Sequence, residues 1–237
     1  FSFIFILCIV TYGEEAISIL EKVEEATKYK TVNLEAKMII NKNGKELSKM
    51  NFIWDYKDKN GEKYQLMRYT YPARLKGTAI LMKEKNIWYY NKRTNRTRLL
   101  SKSAREESMM GSSFSYDDMQ LEYLNDFYAE ILEKNAKTYI LKLSPKNDEK
   151  KYKYIIVEII RKNYTEKNIK YYDKNNINYK TLETIDIKYI QNKWMPVKMC
   201  MKDNINGKET LLEIQEDTIK IGEDIDDMIF SEKNLKR

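Results

Sequence analysis

The chain has no histidine, and only two cysteines, three prolines and seven glycines in 237 residues. Each scarcity removes a class of function. Without histidine there is no Ser-His-Asp or Cys-His catalysis, no His-ligated zinc and no imidazole pH switch. One cysteine, Cys8, lies in an apolar N-terminal run, so once that run is removed no intramolecular disulfide can form. The other, Cys200, sits in the alternating stretch 197–201 and reads as a small buried hydrophobe. No Pro-, Gly- or Ser-rich linker divides the chain, which predicts a single domain over residues 14–237. No motif calls for a cofactor. The acidic group Glu223, Asp224, Asp226 and Asp227 lacks the spacing of a calcium loop and reads as a solvated turn. Tyrosine is abundant instead, at nineteen residues. Such a composition suits half-buried strands, where the ring packs on one face and the hydroxyl reaches water.

The N-terminal run, residues 1–10, is almost unbroken in its apolar character. Ten residues span about 15 Å as a helix, about half of a bilayer core. Thr11 and Gly13 stand at the −3 and −1 positions of a signal-peptidase site. This predicts that residues 1–13 are a signal peptide remnant, that the mature chain starts at Glu14 and that the protein is exported. Leu7 is too bulky for the position before a lipidated cysteine, so anchoring through Cys8 is not expected.

Ala16, Ile17, Ile19, Leu20, Val23, Ala26 and Tyr29 recur at spacings of three and four, which predicts an amphipathic helix over 14–30. Its exposed positions carry Glu14, Glu15, Glu21, Glu24 and Glu25, so it reads as a helix covering a sheet rather than one lying on anionic lipid. The period then changes to two. Strands are predicted near 32–40, 47–56, 64–71, 75–82, 87–90 and 96–100, with Asn43-Gly44 as a hairpin turn. Alternation pauses over 102–119, where Ser115 is placed to cap a short helix over 116–124. Further strands follow between Phe127 and Ile214, and the chain closes with a turn carrying Phe230 as a plug. The result is mainly β, a meander of about eleven strands with a covering helix. A strongly twisted sheet of that size curls into a half-open antiparallel barrel.

Charge is unevenly distributed. From Arg74 to Arg105 there are ten Lys/Arg against Glu84 alone, a local +9 in a chain of net +7. Head-group or partner docking is the favoured reading of this strip, centred on Pro72, Arg74, Lys76 and the Gly77 that permits close backbone approach. The strip leads into a loop carrying Met109, Met110, Gly111, Phe114, Tyr116 and Met119, adaptable apolar groups that either gate a cavity or pack a barrel end.

Several motifs together resemble a known family. They are Tyr71-Pro72, the block from Arg74 through Lys76, Gly77 and Thr78 to Leu81, then Trp88-Tyr89-Tyr90, Arg98, and the block from Met110 to Asp118. Trp194 with Pro196, the Asn206–Thr210 turn and the ending Phe230 to Leu235 extend the match over essentially the whole mature chain. This set resembles the outer membrane lipoprotein-sorting proteins, relatives of the periplasmic carriers LolA and LolB. The resemblance implies a half-open barrel with helices over its mouth and a hydrophobic cavity that shields acyl chains during transit through the periplasm. It implies lipoprotein acyl chains or phospholipid as ligand, with an inner-membrane transporter and an outer-membrane acceptor as partners. A monomer is expected, and the expected export argues against nucleic acid despite the basic, aromatic-rich composition. Pro72, Arg74, Lys76, Gly77, Trp88, Arg98, Met109, Met110, Gly111, Phe114, Tyr116 and Met119 are then the expected ligand-binding residues. Two alternatives stay open. One is an accessory subunit of a lipid-exporting transporter. The other is a lipid hydrolase built from Ser112, Ser113, Ser115, Asp117 and Asp118, with Asp or Lys102 as the base that serine needs.

Overall fold

The computed structural model describes residues 3–147 and 150–237, with side chains described from residue 13 onward. The side chain of Cys8, and with it the lipidation question, lies outside the described residues. In chain order the elements are helix α1 (Phe3–Ala26), strands β1 (Thr31–Lys42), β2 (Lys45–Lys59), β3 (Glu62–Tyr71), β4 (Ala79–Lys83), β5 (Asn86–Asn91) and β6 (Arg96–Leu99), and the short helices α2 (Lys102–Arg105) and α3 (Tyr123–Asp126). Then come β7 (Phe127–Lys134), β8 (Thr138–Pro145), β9 (Tyr154–Ile160), β10 (Glu166–Tyr172), β11 (Asn178–Ile190), β12 (Lys193–Asp203), β13 (Lys208–Ile214) and β14 (Lys220–Ile221). Among the described residues there are fourteen strands, where the alternation predicts about eleven. The surplus includes pieces such as β14, whose two residues are too few to show a period.

Two compact units emerge, one of residues 1–28 and 120–207, the other of 29–119 and 208–237. In the first unit the strands run β12-β11-β10-β9-β8-β7, all antiparallel neighbours. Strand β9 alternates buried and half-buried residues along its whole length, placing Ile155, Val157 and Ile159 inside with Leu141 and Leu143 of β8. Helix α1 packs on β7 and α3. It buries Ala16, Ile19, Leu20 and Val23, one helical face, as the spacing predicts. The predicted helix over 14–30 is corrected at both ends: α1 begins at Phe3 and stops at Ala26. The Thr27 hydroxyl donates to the Val23 carbonyl at 3.0 Å and ends the helix, and β-branched Thr31 and Val32 open β1. Glu24 accepts from the Leu124 amide at 3.1 Å and Lys134 pairs with Glu15 at 2.7 Å, tying α1 to its neighbours.

In the second unit the order is β6-β5-β4-β3-β2-β1-β13, with β14 also on β1. The predicted strand over 75–82 is shorter than expected. Residues 72–77 form a loop closed by Leu75 N–H to Pro72 O (2.8 Å) and Gly77 N–H to Tyr69 O (2.9 Å), and pairing resumes at Ala79. Gly77 takes φ +82°, the left-handed region that a side chain resists. Strand β4 is buried at Ala79, Ile80, Leu81 and Met82 in succession, so both faces of the sheet are covered here. On one face Leu66, Ala79, Leu81 and Tyr90 pack with Phe230 and Leu235 from the C-terminal turns. Phe230 thus plugs that face, as the sequence suggests. Arg68 fastens the same turns by donating to the carbonyls of Asn234 (2.9 Å), Arg237 (3.1 Å) and Leu235 (3.2 Å).

Candidate functional site

The opposite face of the second unit is set by register. Leu34 faces Trp54, which faces Met67, which faces Ile80, which faces Tyr89. Side chains alternate across a strand, so this row and its neighbours two residues away share one side. Val32, Leu34, Ala36, Met38 and Ile40 of β1, Met50 and Phe52 of β2, Met67 and Tyr69 of β3, Ile80 and Met82 of β4 and Ile87 of β5 form it, each at most 3% exposed. Thr210 and Leu212 of β13 continue it opposite Ile40 and Met38. Phe52 and Tyr69 meet edge to face at 5.7 Å. Four methionines give this surface deformable, polarizable lining.

Polar atoms are embedded in it. Trp54 Nε1, Gln65 Oε1 and the Tyr69 hydroxyl are buried and have no hydrogen-bond partner among the described residues. Burial pushes the Tyr69 hydroxyl far above the ordinary tyrosine range. Burial likewise raises Tyr116 to about 12, with Tyr89 beside it adding to the rise and Arg98 opposing it.

Loop 108–119 lies on this face. The Gln65 amide donates to Met119 O at 3.0 Å, and the Ser113 amide donates to Thr210 Oγ1 at 2.8 Å. The Ser113 hydroxyl donates to Lys208 O (3.3 Å), and Lys208 Nζ donates to Gly111 O (3.1 Å). Within the loop, Met109 N–H donates to Phe114 O at 2.7 Å. Met110 at φ 53° and Gly111 at φ 82° are consecutive left-handed residues that reverse the chain between them. Met109, Phe114 and Tyr116 are buried, Met110 and Met119 half-buried and Gly111 exposed. Ser115 and Asp118 exchange bonds in a capping box: Ser115 N–H to Asp118 Oδ2 at 2.6 Å, and Asp118 N–H to Ser115 Oγ at 3.3 Å. The single helix predicted over 116–124 is instead a 3-10 turn at Asp117–Gln120 followed by α3.

The twelve sequence-predicted residues separate into three places. Met109, Met110, Gly111, Phe114, Tyr116 and Met119 belong to this loop. Arg98 sits opposite Tyr89 on the same face of the sheet and lies over its ring at 5.2 Å. Trp88 is on the other face, against the Phe230–Leu235 cluster. Pro72, Arg74, Lys76 and Gly77 form the β3–β4 loop at the end of the sheet, with Arg74 and Lys76 exposed. The close approach expected at Gly77 is present: a Cβ there would stand 3.3 Å from Lys92 Cγ. The strand residues Met38, Met50, Phe52, Met67, Tyr69, Ile80 and Met82 are absent from the sequence-based site. Their signal is the ordinary two-residue alternation of any half-buried strand.

The serine groups considered for hydrolysis serve the loop's own architecture. The Ser112 hydroxyl, 1% exposed, donates to Phe114 O at 3.2 Å and accepts from Phe114 N–H at 3.1 Å. Asp118 is occupied by the capping box. At the C-terminal acidic group, Asp227 pairs with Lys57 and Lys59 at 2.7 and 2.6 Å, and Asp226 caps the Met228 amide. Among the described residues no cluster of three or more Cys, Asp or Glu is arranged to hold a metal ion.

A family model described as "uncharacterized protein"-like matches residues 61–237, more than half of the chain. The chain belongs to that family. No curated protein matches it. Its fold is shared with solved structures of low identity. A domain described as an outer membrane lipoprotein-sorting protein, from Vibrio parahaemolyticus, superposes with TM-score 0.87 at 20% identity, over 95% of this chain and 100% of that one. A DUF1329 family protein from Desulfovibrio piger gives 0.88 at 22%, over 94% and 99%. A LolA superfamily protein from Nitrosomonas europaea gives 0.73 at 19%, over 92% and 98%. The family's fold in this chain is therefore the half-open antiparallel β-barrel of the LolA type, as the motifs imply. Among the described residues no helix is long and apolar enough to cross a membrane.

Proposed function

We propose that this protein is a periplasmic carrier that shields acyl chains of lipoproteins or lipids on the apolar face of its second unit during transport to the outer membrane. It is exported by its N-terminal segment, acts as a monomer, takes cargo from an inner-membrane transporter and delivers it to an outer-membrane acceptor. The observation that carries this reading is the continuous methionine-rich face beneath loop 108–119. The unpartnered polar atoms of Trp54, Gln65 and Tyr69 within it favour a ligand that brings hydrogen-bonding groups as well as hydrocarbon. The lipoprotein-sorting description of a structural neighbour supports it as well.

Magnitudes favour reversible exchange. Detaching the loop breaks four hydrogen bonds to the sheet, about 1 kcal/mol each, and re-exposes Met109, Phe114 and Tyr116, about 2 kcal/mol each. The total, about 10 kcal/mol, matches the gain from burying about a dozen methylenes at about 0.8 kcal/mol apiece. Loop and acyl chain are thus near-equal competitors for one face, which lets a carrier both load and unload.

The test is titration of delipidated protein with a fluorescent fatty acid, alongside native mass spectrometry of the protein as purified. Saturable micromolar binding is expected; absence of binding at tens of micromolar would rule the carrier out.

A further inference from the structure

We propose that one end of the second unit docks on the surface of an anionic phospholipid bilayer. The argument begins with how the antiparallel register redistributes the basic strip. Strands β1, β3 and β5 run toward this end, and β2, β4, β6 and β13 run away from it. The turns that meet here are the β1–β2 hairpin, the 72–78 loop and the β5–β6 turn, together with the start of β13. Lys92 N–H donates to Thr78 Oγ1 at 3.5 Å, and the Lys92 stem lies over Gly77, so the second and third turns are in contact.

Segments 41–46, 71–78, 91–96 and 208–209 carry eight cations (Lys42, Lys45, Arg74, Lys76, Lys92, Arg93, Arg96, Lys208) against Glu46 and Glu209, a net +6. All but Lys208 are exposed, and those seven form no ion pair among the described residues. Leu47, 60% exposed, and Tyr71, 50% exposed, stand among them. The opposite end differs. Segments 57–63, 83–86 and 220–227 carry six cations and seven acids. Lys57 and Lys59 pair with Asp227, and Lys220 with Glu223 at 3.6 Å.

Unpaired cations on three neighbouring turn tips, with a half-exposed tyrosine and an exposed leucine between them, match a lipid interface. There the cations meet phosphate, and tyrosine sits at head-group depth. Nucleic acid would call for exposed stacking rings along a groove, and only one exposed ring, Tyr71, stands here. Docking of this kind needs no assumption about cargo.

The experiment is co-sedimentation of the full chain with vesicles of phosphatidylcholine alone or with about half phosphatidylglycerol. Binding is expected to the anionic vesicles only. It should weaken at least about tenfold between 0.1 and 1 M salt, where the screening length shrinks from about 10 to about 3 Å. The triple variant Lys92→Glu/Arg93→Glu/Arg96→Glu should lose at least about tenfold in vesicle affinity. It should keep its thermal midpoint and its fluorescent fatty-acid titration, which separates this surface from the carrier reading. Lys85→Glu/Lys137→Glu/Lys174→Glu carries the same change in net charge elsewhere and should stay within about threefold of the parent. Equal binding to both vesicle types, no binding to either, or equal losses in the two triple variants would each overturn the proposal. So would retention of a polyglutamate peptide in place of the anionic vesicles, which would assign the face to an acidic protein.

Discussion

Two segments cover the two faces of the same strands, and they are fastened differently. The C-terminal turns lie over Leu66, Ala79, Leu81 and Tyr90, held by the Arg68 guanidinium on three carbonyls and by Lys57 and Lys59 on Asp227. Loop 108–119 lies on the Met67–Ile80 face through four bonds to Gln65, Thr210 and Lys208, three of them neutral and only one, from Lys208 Nζ to Gly111 O, with a charged donor. Hydrogen bonds to charged groups are roughly twice as strong as neutral ones. The C-terminal cover is therefore the more strongly strapped of the two. Under the proposed carrier function, the weaker fastening marks the Met67–Ile80 face as the one that takes ligand, a distinction burial does not make because both faces are covered.

The contrast can be broken at either side. The largest effect is expected from Phe230→Ala, which should lower the unfolding free energy by about 3–5 kcal/mol in urea titration and leave fatty-acid affinity within a few-fold in the folded fraction. Phe114→Ala should cost less stability and more ligand affinity; equal stability losses in the two variants would make the loop a second strap. Arg68→Met should cost about 2–3 kcal/mol, because three carbonyls lose a charged donor. Thr210→Val should cost only about 1 kcal/mol in stability while speeding amide exchange at Ser113 about fivefold, and unchanged exchange would show that the loop is held by packing alone. The smallest effect concerns Asp227. Its carboxyl is held down from 3.8 to about 2, first by the hydrogen bonds from Lys57 and Lys59. A depressed acid contributes stability that is fully present above the unfolded value and is lost as pH falls toward 2. The thermal midpoint of the parent should drop more between pH 4.5 and 2.5 than that of Asp227→Asn; parallel curves would remove the ionic part of the strap.

Much of this was legible beforehand. The alternation at 32–40 and 64–71 locates β1 and β3, and the i, i+3, i+4 spacing locates the buried face of α1, because local periodicity reports which side of an element is dry. The 75–78 segment differs from its expectation: Leu75 and Lys76 alternate like a strand, but Gly77 and the bonds back to Pro72 and Tyr69 make them a loop. The basic strip was visible as composition, yet its contiguity in sequence is not contiguity in space. Each hairpin sends the chain to the other end of the sheet, so Lys83 and Lys85 part from Arg74 and Lys92, while Lys42 and Lys45 join them. Trp88 belongs to the motif set, and its parity puts it on the other face, against the cluster that holds Phe230. The methionines of the apolar face carry no local mark that separates a ligand surface from a core.

Strand β1 has its partners on opposite sides of a long detour: β2 follows at once, but β13 begins at Lys208, after the whole 120–207 stretch has been made. During synthesis the chain through Met119 therefore waits with one flank of β1 unpaired until the intervening unit is complete. Contacts of such separation slow folding and leave strand edges open to wrong pairings. Until Lys208–Ile214 has been made, that flank of β1 is an open edge on which any other strand can pair.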